Sequence, residues 1–285
     1  MKAISALFRS LARAFALVVL VIIGSTLLVR LAPGYLSDAR EMDPRYGNIV
    51  RAELSQEGAQ SRSLPAMLVR EMSGWLRGDA GVSRQFDVPV QDLIRPRLSV
   101  TGALLLRSLL LGWAVALGAA LLASTRRKAG VVWQAPATLL LAIPVAAMAT
   151  LCLLAGSGGP VLVMAMLIAA RDFKFLCRLL RQAWLEPHLL QARAHGIRTS
   201  HLLAVHVTPL IAAQLAALAG LSMVTALSAL VPVEVLFDVP GLGQLAWNAA
   251  MNRDLPVLLA VTLLMALAVT ASGVMSGHVS HWEHA

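Results

Sequence analysis

The stretch Glu234-Val-Leu-Phe-Asp-Val-Pro-Gly-Leu-Gly-Gln-Leu-Ala-Trp-Asn-Ala-Ala-Met-Asn-Arg-Asp-Leu-Pro256 separates two long apolar segments with charged groups and turn formers. Its charges, Glu234, Asp238, Arg253 and Asp254, fall among Pro240, Gly241, Gly243 and Asn252. Gly and Pro punctuate local structure, so a turn is expected there between two helices. A polar insertion of this kind points to a pathway built between helices rather than to a simple membrane anchor.

Working outward, the 285 residues are 58% hydrophobic and only 14% charged, with a mean hydropathy of +0.73. These values belong to the membrane class. About 20 helical residues cross a hydrocarbon core of roughly 30 Å. Six apolar stretches meet that length, near 11–32, 98–124, 131–155, 158–176, 207–232 and 255–277. The expected fold is an all-α integral membrane protein of about six transmembrane helices, with an extracytoplasmic loop subdomain after the first. Residues 1–32 form the N-terminus and first helix, 33–97 the outer loop region, and 98–285 a five-helix core. That core carries a cytoplasmic loop at 177–206 and an extracytoplasmic loop at 233–255. The first stretch has a basic lead of Lys2, Arg9 and Arg13, as a signal peptide does, but Arg30 follows it where a small-residue cleavage site belongs. A retained helix is expected.

The formal net charge of +9 could suggest nucleic acid. The basic residues instead sit beside apolar spans, the distribution that sets membrane orientation. Lys2, Arg9, Arg13, Arg126, Arg127, Lys128, Arg171, Lys174, Arg178, Arg181, Arg193 and Arg198 mark one side, which is read as cytoplasmic, with both termini there. Residues 33–97 carry nine Arg against nine Asp or Glu, an exported loop without charge bias. The partner implied is the lipid bilayer, not nucleic acid. Arg30 and Arg107 are the basic residues nearest lipid depth, and both are expected to reach an interface. Small residues at spacing four, Ala114 with Gly118 and Ala212 with Ala216 and Gly220, suit close helix packing. Cys152 and Cys177 offer no disulfide framework, and no CxxC or HExxH pattern occurs, so no metal site is expected. The three histidines of the tail, His278, His281 and His284, read as a solvated terminus.

The cytoplasmic loop has helix punctuation. Pro187 suits a first helical position, Arg193 and His195 a C-terminal turn, and Gly196 a left-handed position just past the end. Glu186 stands at the N-terminus, and Thr199 or Ser200 can cap a following helix. A rigid helix of about nine residues, roughly 14 Å long, fits a groove on a partner as well as it fits a lipid surface.

At this point the chain resembles the permease subunits of binding-protein-dependent ABC importers. Gly196 stands thirteen residues before Pro209, as in the cytoplasmic signature of that family. Ala192-Arg193-Ala194-His195-Gly196 followed by His206 is similar to the dipeptide, oligopeptide and nickel branch, and Glu186 stands where that branch carries an acid. Two further blocks agree: Trp75 to Ser83 with Pro89-Val90 and Arg97-Leu98, and the segment Glu234 to Pro256 with Phe237, Pro240, Gly241, Gly243, Arg253 and Asp254. The chain departs from the family at His188, Leu190, Gln191 and Ser99, and ends without the family's closing Asp-Pro-Arg motif.

The resemblance implies that Glu186, Ala192, Arg193, Ala194, Gly196, His206 and Pro209 serve coupling to an ATPase. It places Glu234, Phe237, Pro240, Gly241, Gly243, Arg253 and Asp254 at the pathway or outer gate. The two acids there, Glu234 and Asp254, would be available to a cationic substrate end or a docking protein; for Phe237, Pro240, Gly241 and Gly243, shaping a re-entrant loop is the equal alternative to direct substrate contact. The resemblance further implies a bacterial inner-membrane location, a homologous second permease, two ABC ATPase subunits and an extracytoplasmic solute-binding protein. Lys2, Lys128 and Lys174 lack the Gly-rich setting of a phosphate-binding loop, so ATP with magnesium would be used by the partner subunits. The chain itself would be no enzyme and hold no cofactor. Di- or oligopeptides are the expected cargo. Nickel or a metal chelate is the nearest alternative, and a proton-coupled secondary transporter is the rival from another class.

Overall fold

The computed structural model describes residues 80–125, 127–252 and 254–280, with the isolated helical positions 16, 19, 20, 23, 24 and 27. Most of the expected first crossing and residues 33–79 of the outer loop region lie outside the described residues, as does Arg253. Among the described residues the protein is helical apart from one isolated bridge between Val82 and Pro89. The helices are α1 (Val90–Thr125), α2 (Arg127–Ala142), α3 (Val145–Leu154), α4 (Pro160–Ala183), α5 (Pro187–Ala194), α6 (Thr199–Leu202), α7 (Ala212–Leu236), α8 (Leu242–Met251) and α9 (Leu255–Ser280). Between α6 and α7 the chain passes through a π turn, Leu203–Val207, and one helical turn, Thr208–Leu210.

Three described helices are long and apolar enough to cross a membrane: Val90–Ser124, Ala212–Leu236 and Leu255–Gly273. The stretch expected as one span at 131–155 is broken. Trp133–Ala142 and Val145–Leu154 meet at 100°, because Pro144 lacks the N–H a continuous helix needs and its ring crowds the preceding turn. The fourth stretch continues to Ala183 rather than ending near 176. It starts where extended Gly159 hands over to Pro160, a residue preset for a first helical position. Ala165, Ile168, Asp172, Leu176, Leu180 and Ala183 are buried along it. This unbroken stripe at helical spacing carries the helix past the charges that marked a loop in sequence.

The described chain forms two compact units, Met1–Leu98 with Leu245–Leu267, and Ser99–Gln244 with Ala268–Ala285. In the second, Phe173, Leu176, Leu180 and Ala183 of α4 gather Ala116, Ala120 and Ala123 of α1, Leu189 of α5, Leu202 of α6 and Leu218 of α7 into one core. Lipid is as apolar as leucine, so helices gain from close contact rather than from escaping water. The expected close-packing pairs differ in detail, since Ala114 and Gly118 of α1 and Ala212 of α7 are exposed. The buried small residues of α1 include Gly112, Ala116, Ala120 and Ala123. A Cβ on Gly112 would stand 2.8 Å from Ile168 Cγ2 and 3.1 Å from the Ala165 carbonyl oxygen.

Gly112→Ala should therefore destabilise the protein by about 1–3 kcal/mol through overpacking. Gly118→Ala, with nothing within 4 Å of its added carbon, should be neutral or slightly stabilising. Thermal melting of the purified protein in detergent checks the pair, and equal shifts would contradict the packing described.

Candidate functional site

The first candidate surface is the loop around α5. Its N-terminal approach is fixed by two bonds, from Glu186 N to the Ala183 carbonyl and from Leu189 N to the Glu186 carbonyl, at 3.1 and 3.0 Å. Leu189 is fully buried in the core beside α4, and Ala192, three residues on, packs against the same core. That face pins the helix. Glu186, His188, Gln191, Ala194, His195 and Gly196 are exposed, while the Arg193 side chain lies outside the described residues. The helix ends at Gly196, with φ +75° and a bond from Ile197 N back to the Ala192 carbonyl at 3.4 Å. This is a helix stop in which glycine takes the left-handed position that costs other residues most. Eight residues give a rod of about 12 Å, held by its inner face and open on its outer one.

Thr199 forms the first residue of α6 rather than a cap before it. The π turn that follows precedes Pro209, whose missing N–H relaxes the usual hydrogen-bond ladder. Thr208 Oγ1 donates to the Leu203 carbonyl at 2.7 Å. His206 packs edge-on against His201 with ring centroids 6.4 Å apart, and among the described residues its buried Nδ1 has no hydrogen-bond partner. Pro209 is exposed.

At the other loop the two acids named from sequence are structural in this conformation. Glu234 is fully buried near the end of α7. Its Oε1 accepts from Thr101 Oγ1 at 2.7 Å, and its Oε2 accepts from Gly243 N at 2.6 Å and Gln244 N at 3.2 Å. These amides belong to the first turn of α8, where a carboxylate also meets the positive end of the helix dipole. Thr101 in turn accepts from Leu242 N at 2.8 Å. The loop between α7 and α8 closes tightly. Asp238 adopts φ +52° and receives Gln244 Nε2 on its carboxylate at 2.6 Å, while Val239 N bonds the Glu234 carbonyl at 2.9 Å. Gly241 and Gly243 are buried, and a Cβ on Gly241 would overlap the Glu234 carboxylate. Phe237 is half-buried and Pro240 exposed.

Asp254 does similar work in the other unit and is 1% exposed. It accepts from Ser83 Oγ, and from Arg84 N and Gln85 N at 3.2 Å each, while Ser83 Oγ accepts from Phe86 N at 3.1 Å. Two blocks 171 positions apart in sequence are thus joined by one carboxylate capping one turn. Neither acid is open to a ligand, because its oxygens already face donors within the protein.

Sequence reasoning missed a third buried acid. Asp172, next to Arg171 on the side that the basic residues mark as cytoplasmic, is fully buried in the apolar stripe of α4. Ser222 of α7 lies 2.5 Å from its Oδ2, and Trp113 Nε1 of α1 donates to Ser222 Oγ at 3.2 Å. Among the described residues Asp172 Oδ1 has no hydrogen-bond partner. The neighbouring Arg171 turns away and donates from Nη1 to the Leu221 carbonyl at 2.9 Å. The only signal for this burial was position, since Asp172 falls in register with Ile168 and Leu176. Among the described residues no group of three His, Cys, Asp or Glu side chains could hold a metal ion.

Comparison with known proteins agrees with this architecture. The family described as binding-protein-dependent transport system inner membrane component matches residues 108–281. A Sinorhizobium fredii protein described as "Probable peptide ABC transporter permease protein" is 26% identical over 287 residues, covering 91% of each chain. A Brucella suis biovar 1 protein described as a peptide permease is 24% identical over 282 residues, covering 87% of this chain and 88% of its own.

A methyl group at Gly241 should push the Glu234 carboxylate off the Gly243 and Gln244 amides. Gly241→Ala and Glu234→Ala should each destabilise the protein by about 1–3 kcal/mol, the cost of leaving buried donors unpaired. Thermal melting in detergent reads this, and a wild-type melting temperature for Gly241→Ala would contradict the described packing.

Proposed function

Because the chain belongs to the binding-protein-dependent transport system inner membrane component family, a family of ABC importer permeases, we propose that it forms half of a peptide translocation pathway driven by separate ATPase subunits. The observation that carries this reading is α5, a short helix pinned by Leu189, stopped at Gly196 and exposed on its remaining face. Such a rod transmits displacement as a unit, because its inner face is packed and its outer face can seat in a groove. Glu186, Ala192, Arg193, Ala194 and Gly196 form the contact segment, and His206 and Pro209 stand in the irregular turn leading into α7. Movement of α5 passes through Leu189 to the inner end of α4.

The remaining assembly follows from the family: a homologous second permease, two ATPase subunits that use ATP with magnesium, and a solute-binding protein on the outer side. The chain lies in the bacterial inner membrane with both termini cytoplasmic. Di- or oligopeptides are the cargo, a reading supported by the descriptions of the two relatives. At the outer side, Phe237, Pro240, Gly241 and Gly243 shape a gate whose rigidity comes from Glu234. Asp254 and Arg253 follow in the same loop, and Asp254 fixes the Ser83 turn.

Gly196→Val tests the lever. Its side chain has open space, with nothing within 4 Å of the added carbon, so the expected cost is backbone strain of about 1–2 kcal/mol and a changed exit from α5. Peptide uptake by the reconstituted importer should fall while assembly with the ATPases persists. Wild-type uptake coupled normally to ATP hydrolysis would contradict the role given to this helix.

A further inference from the structure

Arg107 lies midway along the 36-residue helix α1, and its position is costly. The helix turns apolar at Leu98, so nine residues, or about 14 Å, separate Arg107 from that boundary. In a hydrocarbon core of about 30 Å this is near the middle. An arginine at that depth costs several kcal/mol unless it faces protein, water or a counter-ion. The side chain is exposed. No hydrogen bond or ion pair to it is present among the described residues. Glu234, also in this unit, already serves Thr101 and the α8 amides.

Arg107 instead lines a cavity of about 380 Å³, within the size range of small-ligand sites. One wall is a face of α1, with Ser99, Ala103 and Arg107 at helical spacing, and the opposite wall includes Pro160, Val161 and Val239. No acid lines it. A single guanidinium at the end of an otherwise largely apolar chamber is suited to a carboxylate, which it can hold through two parallel N–H donors. It repels a bare metal cation.

We infer that this cavity is a station on the translocation pathway, where Arg107 holds the terminal carboxylate of the peptide cargo while the apolar walls accept its adjacent side chain. The inference rests on the peptide reading above and gives it an orientation, the carboxyl end toward α1. Binding must be released again for transport, so a lone charge with few further polar contacts is suitable.

The test uses the full importer without its solute-binding protein, assembled with its ATPases in detergent. Equilibrium dialysis against a mixed dipeptide library, and against the same library with C-terminal amides, measures retention by wild type, Arg107→Gln and Arg107→Lys. The wild type should retain the free acids roughly 10- to 100-fold better than the amides, the range expected for a charge-assisted hydrogen bond. Arg107→Gln should erase that preference, and Arg107→Lys should restore part of it. An undiminished preference in Arg107→Gln, or none in the wild type, would overturn the assignment. Uptake of the library by proteoliposomes carrying the complete importer separates the two claims. Uptake without an Arg107-dependent preference sinks only this site, whereas no uptake of any peptide sinks the peptide reading and this site with it.

Discussion

A polar group inside a bilayer has no water to turn to, so every buried carboxylate must find donors within the protein. Glu234 and Asp254 meet this constraint mainly with backbone amides, at Gly243 and Gln244 in one case and at Arg84 and Gln85 in the other. Each acid thereby fixes a turn that would otherwise leave N–H groups unpaired. The sharp bend after α7 and the Ser83 turn are consequences of where these charges can be tolerated. Removing either carboxylate leaves the donors it serves unpaired, and a side chain at Gly241 would collide with the Glu234 carboxylate itself.

The same constraint separates the roles of the two loops. The loop after α7 closes on itself, with Glu234 consumed and Gly241 and Gly243 buried. The loop around α5 is held through Leu189, Ala192 and Leu202 and leaves Glu186, His188, Gln191 and His195 exposed. An element tied along one face and free along the other is suited to receiving force from outside the membrane. Arg107 belongs to neither pattern, being a charge midway along an apolar helix with no hydrogen bond or ion pair among the described residues.

What could be read from sequence was what local chemistry determines. Pro187 and Gly196 bracket α5 because a fixed φ at the start and a left-handed residue at the end are properties of single residues. Apolar length showed the helices α1, α7 and α9. The 100° break at Ile143 and Pro144 had its signal in the proline, but the apolar run around it looked continuous. The short helix α8 lay inside an expected loop, although Leu242, Leu245 and Ala249 keep helical spacing there. The jobs of Glu234 and Asp254 were not legible, because Thr101 lies 133 positions from one and Ser83 lies 171 from the other. Asp172 was hidden for the same reason, as its partner Ser222 is on another helix.

The proposed mechanism depends on α5 meeting an ATPase subunit and moving with it. A photoreactive residue in place of Gln191, which is exposed on that helix, tests this in the complete importer within membranes. A covalent adduct with the ATPase subunit is expected, with a yield that changes between the nucleotide-free and ATP-bound states. Absence of any such adduct, together with substrate uptake that continues when the ATPase is removed, would contradict it.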